Sequence, residues 1–211
     1  MPTSSRIARE NDPTVVEKVH VKHQSKRDLR TSLLNARAAL PVAERIANDA
    51  AISAAVLAWL KVHPVRILGV YWPIRGEPDL RGLYAQLVAT GVALALPVMT
   101  GVEAPLMFAG WTPGEAMQID RWGIATPSVV VSATPQALLI PCVGYDTRGF
   151  RLGYGAGYYD RTLAATPRPQ AIGIAYSAGR AAFTVEAHDR AMDVVITEAG
   201  PERIQSEPGL S

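Results

Sequence analysis

The chain has 211 residues, of which 48% are hydrophobic and 19% charged, with a formal net charge of +2. That composition supplies the core of one compact domain, and its charge is too small to imply a nucleic-acid partner. One cysteine, Cys142, excludes an intramolecular disulfide, and the longest apolar run, Ala51–Leu60 broken by Ser53, is far short of the ~20 residues that span a bilayer. The N-terminus has no apolar signal core, and Glu10, Asp12 and Glu17 argue against a transit peptide. The expectation is a cytoplasmic protein with no membrane or nucleic-acid partner. A monomer is expected, although no sequence feature derives it.

Residues 1–24 are polar and aperiodic, and are expected to form a flexible extension. A helix is predicted from Ser25, whose hydroxyl can cap free N–H groups, with Leu29, Leu33 and Ala36 at helical spacing. The basic run Lys22, Lys26, Arg27, Arg30 and Arg37, taken alone, reads as a solvated face. After Pro41 a second helix is predicted through Trp59, with Ile46, Ala50 and Leu57 on its inner side. The pattern then alternates. Strands are predicted at Arg66–Tyr71, Val92–Met99, Leu106–Trp111, Ala137–Val143, Ala171–Tyr176 and Asp193–Thr197, with helices at Asp79–Ala89 and from Tyr158. Ala137–Val143 is almost unbroken in its apolar character, as a strand covered on both faces requires. This order predicts an α/β fold: a single three-layer α/β/α domain over residues 25–198 with a largely parallel sheet, and a flexible tail at 199–211.

The strongest chemical signal is Arg151-Leu152-Gly153-Tyr154-Gly155-Ala156-Gly157-Tyr158-Tyr159-Asp160, between a buried strand and a helix start. Glycines at alternate positions let the chain turn sharply and bring N–H groups close to an anion, and the helix N-terminus adds its positive dipole end. A structural tight turn explains such spacing equally well. The segment lacks the Gly-Lys-Ser/Thr of a Walker A motif, and its last glycine comes too early for a dinucleotide fingerprint. Arg151 stands before the loop as a phosphate-pairing cation, and Asp160 after it as an oxygen ligand for Mg²⁺. Cys142 in an apolar strand end reads as buried and structural. His20, His23, His63 and His188 show no metal-ligand spacing beyond a chance H-x-x-H in the extension.

The longer string Pro141-x-x-Gly-Tyr-Asp-x-x-Gly-x-Arg-Leu-Gly-Tyr-Gly-x-Gly-Tyr-Tyr-Asp160 resembles the signature of the 5-formyltetrahydrofolate cyclo-ligase family. Lys26-Arg-Asp-Leu-Arg30, Tyr71-x-Pro-x-x-x-Glu77, Leu96-Pro97, Trp122-Gly-Ile-x-x-Pro127 and His188-Asp189-x-x-x-Asp193 resemble further family segments, in family order, over about residues 25–198. The resemblance implies one α/β/α domain that uses ATP and Mg²⁺ to convert 5-formyltetrahydrofolate into 5,10-methenyltetrahydrofolate. In that family the formyl oxygen takes the γ-phosphoryl group, N10 attacks the activated carbon, and phosphate leaves. It also implies an ATP set of Lys26, Arg30 and the segment from Arg151 to Tyr159. Mg²⁺ would lie on Asp160 and Asp189, and the folate on Glu77 with Trp72, Trp122 and Tyr159 as flat walls. Two positions depart from the family pattern: Ala156 replaces a lysine found in some members, and Thr126 stands where many place glutamate. A diverged paralogue acting on another substrate, or a non-catalytic folate- or nucleotide-binding protein, are the alternatives. The joint presence of Lys26, Arg30, Arg151, Asp160 and Asp189 favours catalysis over storage. Nucleic-acid binding through the basic helix lacks the interleaved aromatics of a single-strand platform.

Overall fold

The computed structural model describes residues 25–202, 204 and 205; the extension read over residues 1–24 lies outside them, as does Lys22. The described residues open with helix α1 (Lys26–Ala38), where the Asp28 N–H donates to the Ser25 hydroxyl at 3.1 Å, the predicted cap. Helix α2 (Val42–Val62) follows Pro41. Then come β1 (Ile67–Gly69), α3 (Arg81–Ala89), β2 (Ala93–Val98) and β3 (Met107–Trp111). The next strands are short: β4 (Met117–Ile119), β5 (Ala125–Pro127) and β6 (Ser132–Ala133) precede β7 (Ala137–Pro141), β8 (Gly144–Tyr145) and β9 (Arg151–Leu152). Helix α4 (Tyr158–Leu163), β10 (Gln170–Ile174), a 3₁₀ turn at Ser177–Gly179, β11 (Val194–Thr197) and β12 (Gly200–Glu202) complete the order.

Eight strands form the central sheet in the order β12-β11-β10-β7-β1-β2-β3-β6. The five from β11 to β2 run parallel, and β12, β3 and β6 are antiparallel additions at the two edges. Strand period sorts the core. Ala137 and Leu139 of β7 face a cluster with Ile52, Val56 and Leu60 of α2 and Leu83, Tyr84 and Leu87 of α3. Leu138 and Ile140 face the opposite cluster, with Cys142, Leu163 and Met192. Gly69 of β1 carries no Cβ because the Leu138 and Phe108 side chains already fill that space.

The predicted fold class is the observed one, and three details differ from the sequence reading. The inner face of α2 is Ile52, Val56 and Leu60, while Ile46 is 63% exposed, Ala50 is exposed and Leu57 is half-buried. The helix is apolar around most of its girth, so composition does not select which stripe meets the sheet. The two-strand ribbons β4–β5 and β8–β9 are too short to show a period. The segment expected to be a flexible tail contributes edge strand β12 through Glu202, held to β11 and by the Tyr145 hydroxyl, which donates to Glu202 Oε1 at 3.0 Å.

Because Ile52 is fully buried, Ile52→Ala is expected to cost about 2–5 kcal/mol, whereas Ile46→Ala stays within about 0.5 kcal/mol. Urea denaturation of the two variants checks this; the reverse ranking would return the inner face of α2 to Ile46.

Candidate functional site

The segments leaving the carboxyl ends of two central parallel strands, β1 and β7, carry many of the candidate site residues. The segment leaving β1 holds Trp72 and Glu77, and the one leaving β7 passes through the β8–β9 ribbon into the glycine loop and α4. Loops at this end of a parallel sheet form crevices between neighbouring strands, and β1 and β7 are adjacent. Gly155 has φ +96° and Gly157, at the start of α4, φ +67°, backbone that a side chain would strain. A Cβ on Gly157 would also lie 2.9 Å from Arg161 Nη1. Arg161 Nη2 donates to the Ala156 carbonyl at 2.6 Å and so holds the loop's turn. Helix α1 grips the other end: Arg30 Nε donates to the Gly153 carbonyl at 2.7 Å, while Leu29 packs on Leu152 and Phe183.

Two ion pairs stand beside this loop. Arg151 Nη2 meets Asp160 Oδ2 at 2.7 Å, with side chains only 6% and 13% exposed. Arg151 Nε is buried with no hydrogen-bond partner among the described residues. The Arg190 N–H donates to Asp160 Oδ1 at 3.2 Å, which sets Asp160 next to the Asp189–Arg190 turn. Asp189 Oδ2 pairs with Lys26 Nζ at 2.7 Å and accepts the Glu186 N–H at 2.8 Å. Partial burial pushes the Asp189 carboxyl up, but these donors outweigh it and its pKa lies below the usual carboxylate value. Glu186, His188 and Asp189 bring three ligand atoms within 4.8 Å of one another on this turn.

Glu77 forms the other pole. It is 4% exposed; its Oε1 accepts the Tyr154 hydroxyl at 3.0 Å and its Oε2 the Ile74 N–H at 2.9 Å. Burial raises its pKa to about 7, against the lowering pull of those donors and of Arg37 and Arg75. The turn that delivers it has positive φ at Arg75 and Gly76. Its base is tied by the Tyr71 hydroxyl to the Pro78 carbonyl at 2.6 Å and the Tyr84 hydroxyl to the Tyr71 carbonyl at 2.7 Å. Trp72 meets Trp111 edge-on at 6.0 Å and lies 5.2 Å from the Arg81 guanidinium.

The structure thus brings Lys26 to Asp189, Arg30 to Gly153, Arg151 to Asp160 and Glu77 to Tyr154. Tyr159 packs against the core cluster around Tyr145 and Leu163, with the Arg151 guanidinium 5.4 Å from its ring. The Tyr158 hydroxyl donates to the Gly101 carbonyl at 3.1 Å. Trp122 stands apart from these contacts at the tip of the β4–β5 ribbon, 40% exposed under Arg121. Thr126 is buried in β5, and Ala156 is exposed on the loop. The Cys142 thiol is buried and pushed up to about 11 by burial, as an inert structural thiol should be. Sequence reasoning missed Arg37. It is not on a solvated face but 6% exposed, donating from Nη2 to the Cys142 carbonyl at 2.5 Å and from Nη1 to the Tyr154 hydroxyl at 3.4 Å. Its position two helical turns beyond Arg30, on the same face of α1, was the available signal.

The Glu77 shift has a consequence for stability. Its folded-state pKa, about 7, lies above the ordinary 4.5, so the folded state holds the proton more tightly than the unfolded chain. The folded state therefore loses stability as pH rises from about 4.5 to about 7, by roughly 3 kcal/mol in all. Glu77→Gln should remove this slope, making the variant's stability change less between pH 5 and pH 8 than the parent's in urea titrations. Parallel profiles would contradict the buried-carboxylate reading.

Comparison with known proteins bears on the whole domain. A 5-formyltetrahydrofolate cyclo-ligase of Mycolicibacterium smegmatis is 32% identical, the match covering 82% of this chain and 94% of that protein. The one from Mycoplasma pneumoniae is 29% identical, over 82% and 98%. Among solved structures, the Aquifex aeolicus 5,10-methenyltetrahydrofolate synthetase superposes with a TM-score of 0.71 at 28% identity, covering 88% of this chain and 96% of that one. The Mycoplasma pneumoniae synthetase superposes with 0.69 at 26% identity, covering 83% and 99%. The family model matches residues 22–198, the stretch that carries the glycine loop, both ion pairs and Glu77, and this enzyme belongs to the 5-formyltetrahydrofolate cyclo-ligase family.

Proposed function

We propose that this enzyme converts 5-formyltetrahydrofolate to 5,10-methenyltetrahydrofolate with ATP and Mg²⁺, releasing ADP and phosphate. The formyl oxygen attacks the γ-phosphorus, forming an O–P bond as the bond to ADP breaks. N10 then attacks the activated formyl carbon, loses its proton, and the C–O bond breaks to release phosphate. Phosphoryl transfer of this kind needs alignment and charge neutralisation more than a protein nucleophile.

One observation carries the reading: two cations and two carboxylates are paired beside a glycine loop. Lys26 and Arg151 presently face Asp189 and Asp160. Phosphate oxygens suit the same cations, the unpartnered Arg151 Nε and the loop amides. Arg30, already turned to the loop at Gly153, adds charge on the same side. The two carboxylates fit a hard, oxygen-seeking ion: they are neighbours through Arg190 and mostly covered. Asp160 and Asp189 would hold Mg²⁺, which when bound neutralises phosphate charge as it is transferred. On the folate side, Glu77 accepts ring N–H groups of the pterin, with Trp72 and Tyr159 as flat walls; Trp122, at the exposed tip of the β4–β5 ribbon, is left out of this set. No described helix is long and apolar enough to cross a membrane; the cytoplasm is the compartment we assign, and a monomer the working unit.

The two poles predict two different failures. Lys26→Ala is expected to weaken ATP binding roughly ten- to a hundredfold, the worth of one charge-assisted contact, with folate affinity nearly intact. Glu77→Gln should do the reverse. Calorimetric titration of each variant with each ligand, after circular dichroism shows the fold intact, measures both. If the two variants lose the same ligand, the division of the site is wrong.

A further inference from the structure

Glu77 and the glycine loop are not independent. Tyr154 sits inside the loop, between Gly153 and Gly155, yet its hydroxyl reaches out of it and donates to Glu77 at 3.0 Å. Behind it, the buried Arg37 spans from the Cys142 carbonyl at the end of β7 to the Tyr154 hydroxyl. Arg75, two residues before Glu77, lies with its guanidinium 5.4 Å from the Tyr154 ring. Helix α1 therefore holds the loop twice, through Arg30 on Gly153 and through Arg37 on Tyr154.

The two Glu77 oxygens are each committed to one protein donor, Tyr154 and Ile74. With both oxygens tied, the orientation of the carboxylate is set by these two donors. Moving the loop moves one of the two donors. A side chain this deeply covered gives up a donor at considerable cost, so loop position and carboxylate orientation change together.

We infer that Tyr154 and Arg37 are positioning residues that couple the nucleotide half of the site to the folate half, so that each ligand raises the affinity for the other. The inference rests on the proposed function, which puts nucleotide on the loop and folate on Glu77. The positive sign follows from the shared contact: a nucleotide that holds the loop keeps Tyr154 on Glu77 in the orientation the folate meets, and a folate on Glu77 holds Tyr154 and the loop with it. Thermodynamic reciprocity makes the factor the same in either order.

The test is calorimetric. A non-hydrolysable ATP analogue with Mg²⁺ is titrated into wild type with and without saturating 5-formyltetrahydrofolate, and the order is then reversed. A tenfold mutual gain is expected, within the usual span of about 5- to 150-fold for coupled sites. Tyr154→Phe, which removes only the hydroxyl, should bring the factor close to one whatever it does to each single-ligand affinity, because the factor compares the same variant with and without the second ligand. Arg37→Lys keeps the charge but not the two-pronged reach, and should cut the factor at least threefold; it serves independently if Tyr154→Phe is poorly folded. A purely structural role for either residue would lower stability and leave the factor unchanged. Two ligands that bind wild type without mutual gain overturn the coupling, as does a full factor retained in folded Tyr154→Phe. Wild type that fails to bind one ligand at all instead overturns the underlying assignment of the site, and the coupling falls with it.

Discussion

The guanidinium of Arg151 is nearly covered by protein and carries a charge that cannot be given up, because arginine does not deprotonate in proteins. Removing such a charge from water costs several kcal/mol, and one strong partner must offset it. Asp160 is that partner, and its placement fixes much else. It requires β9 and α4 to close on each other across the glycine loop, which the positive φ values of Gly155 and Gly157 allow. It draws in the Arg190 N–H and with it the Asp189 turn, where Lys26 of α1 completes a second pair. This buried pair and the Lys26–Asp189 pair beside it thus link α1, the loop, α4 and the segment before β11.

The same economy explains why the site contains tension rather than only stability. Each carboxylate is satisfied by a cation that anionic phosphate also suits, so on the proposed reading the resting pairs compete with the ligand. Glu77 shows tension of another kind. It is buried deeply enough that its pKa rises to about 7 even with a hydroxyl, an N–H and two nearby arginines in its favour. A site built for stability alone would place an amide there, and retaining an acid that is costly to ionise fits a group reserved for a ligand.

Much of this was legible in the sequence because it is local. The glycine spacing, the cation before it and the carboxylate after it lie within ten residues, and it is as one string that they match the family's signature. The unbroken apolar run at Ala137–Val143 and the alternation around it gave the parallel sheet for the same reason. What was not legible depends on contacts across the fold. The place of Arg37 on the Arg30 face of α1 was legible, but its burial was not, since its partners are 105 and 117 residues away. That Tyr154 serves Glu77 required knowing that β1 and β7 are neighbours. The burial stripe of α2 failed because several faces of that helix are apolar, and β12 failed because three residues of edge strand carry no period of their own.

The central claim, that this constellation drives an ATP-dependent ring closure, meets its most direct test in the absorbance of the methenyl product. Purified protein is incubated with 5-formyltetrahydrofolate, with ATP and Mg²⁺ both present or with either omitted. The account predicts steady growth of methenyl absorbance only in the complete mixture, with stoichiometric ADP. Equal turnover without nucleotide would contradict it, and so would tight binding of the folate with no turnover at all.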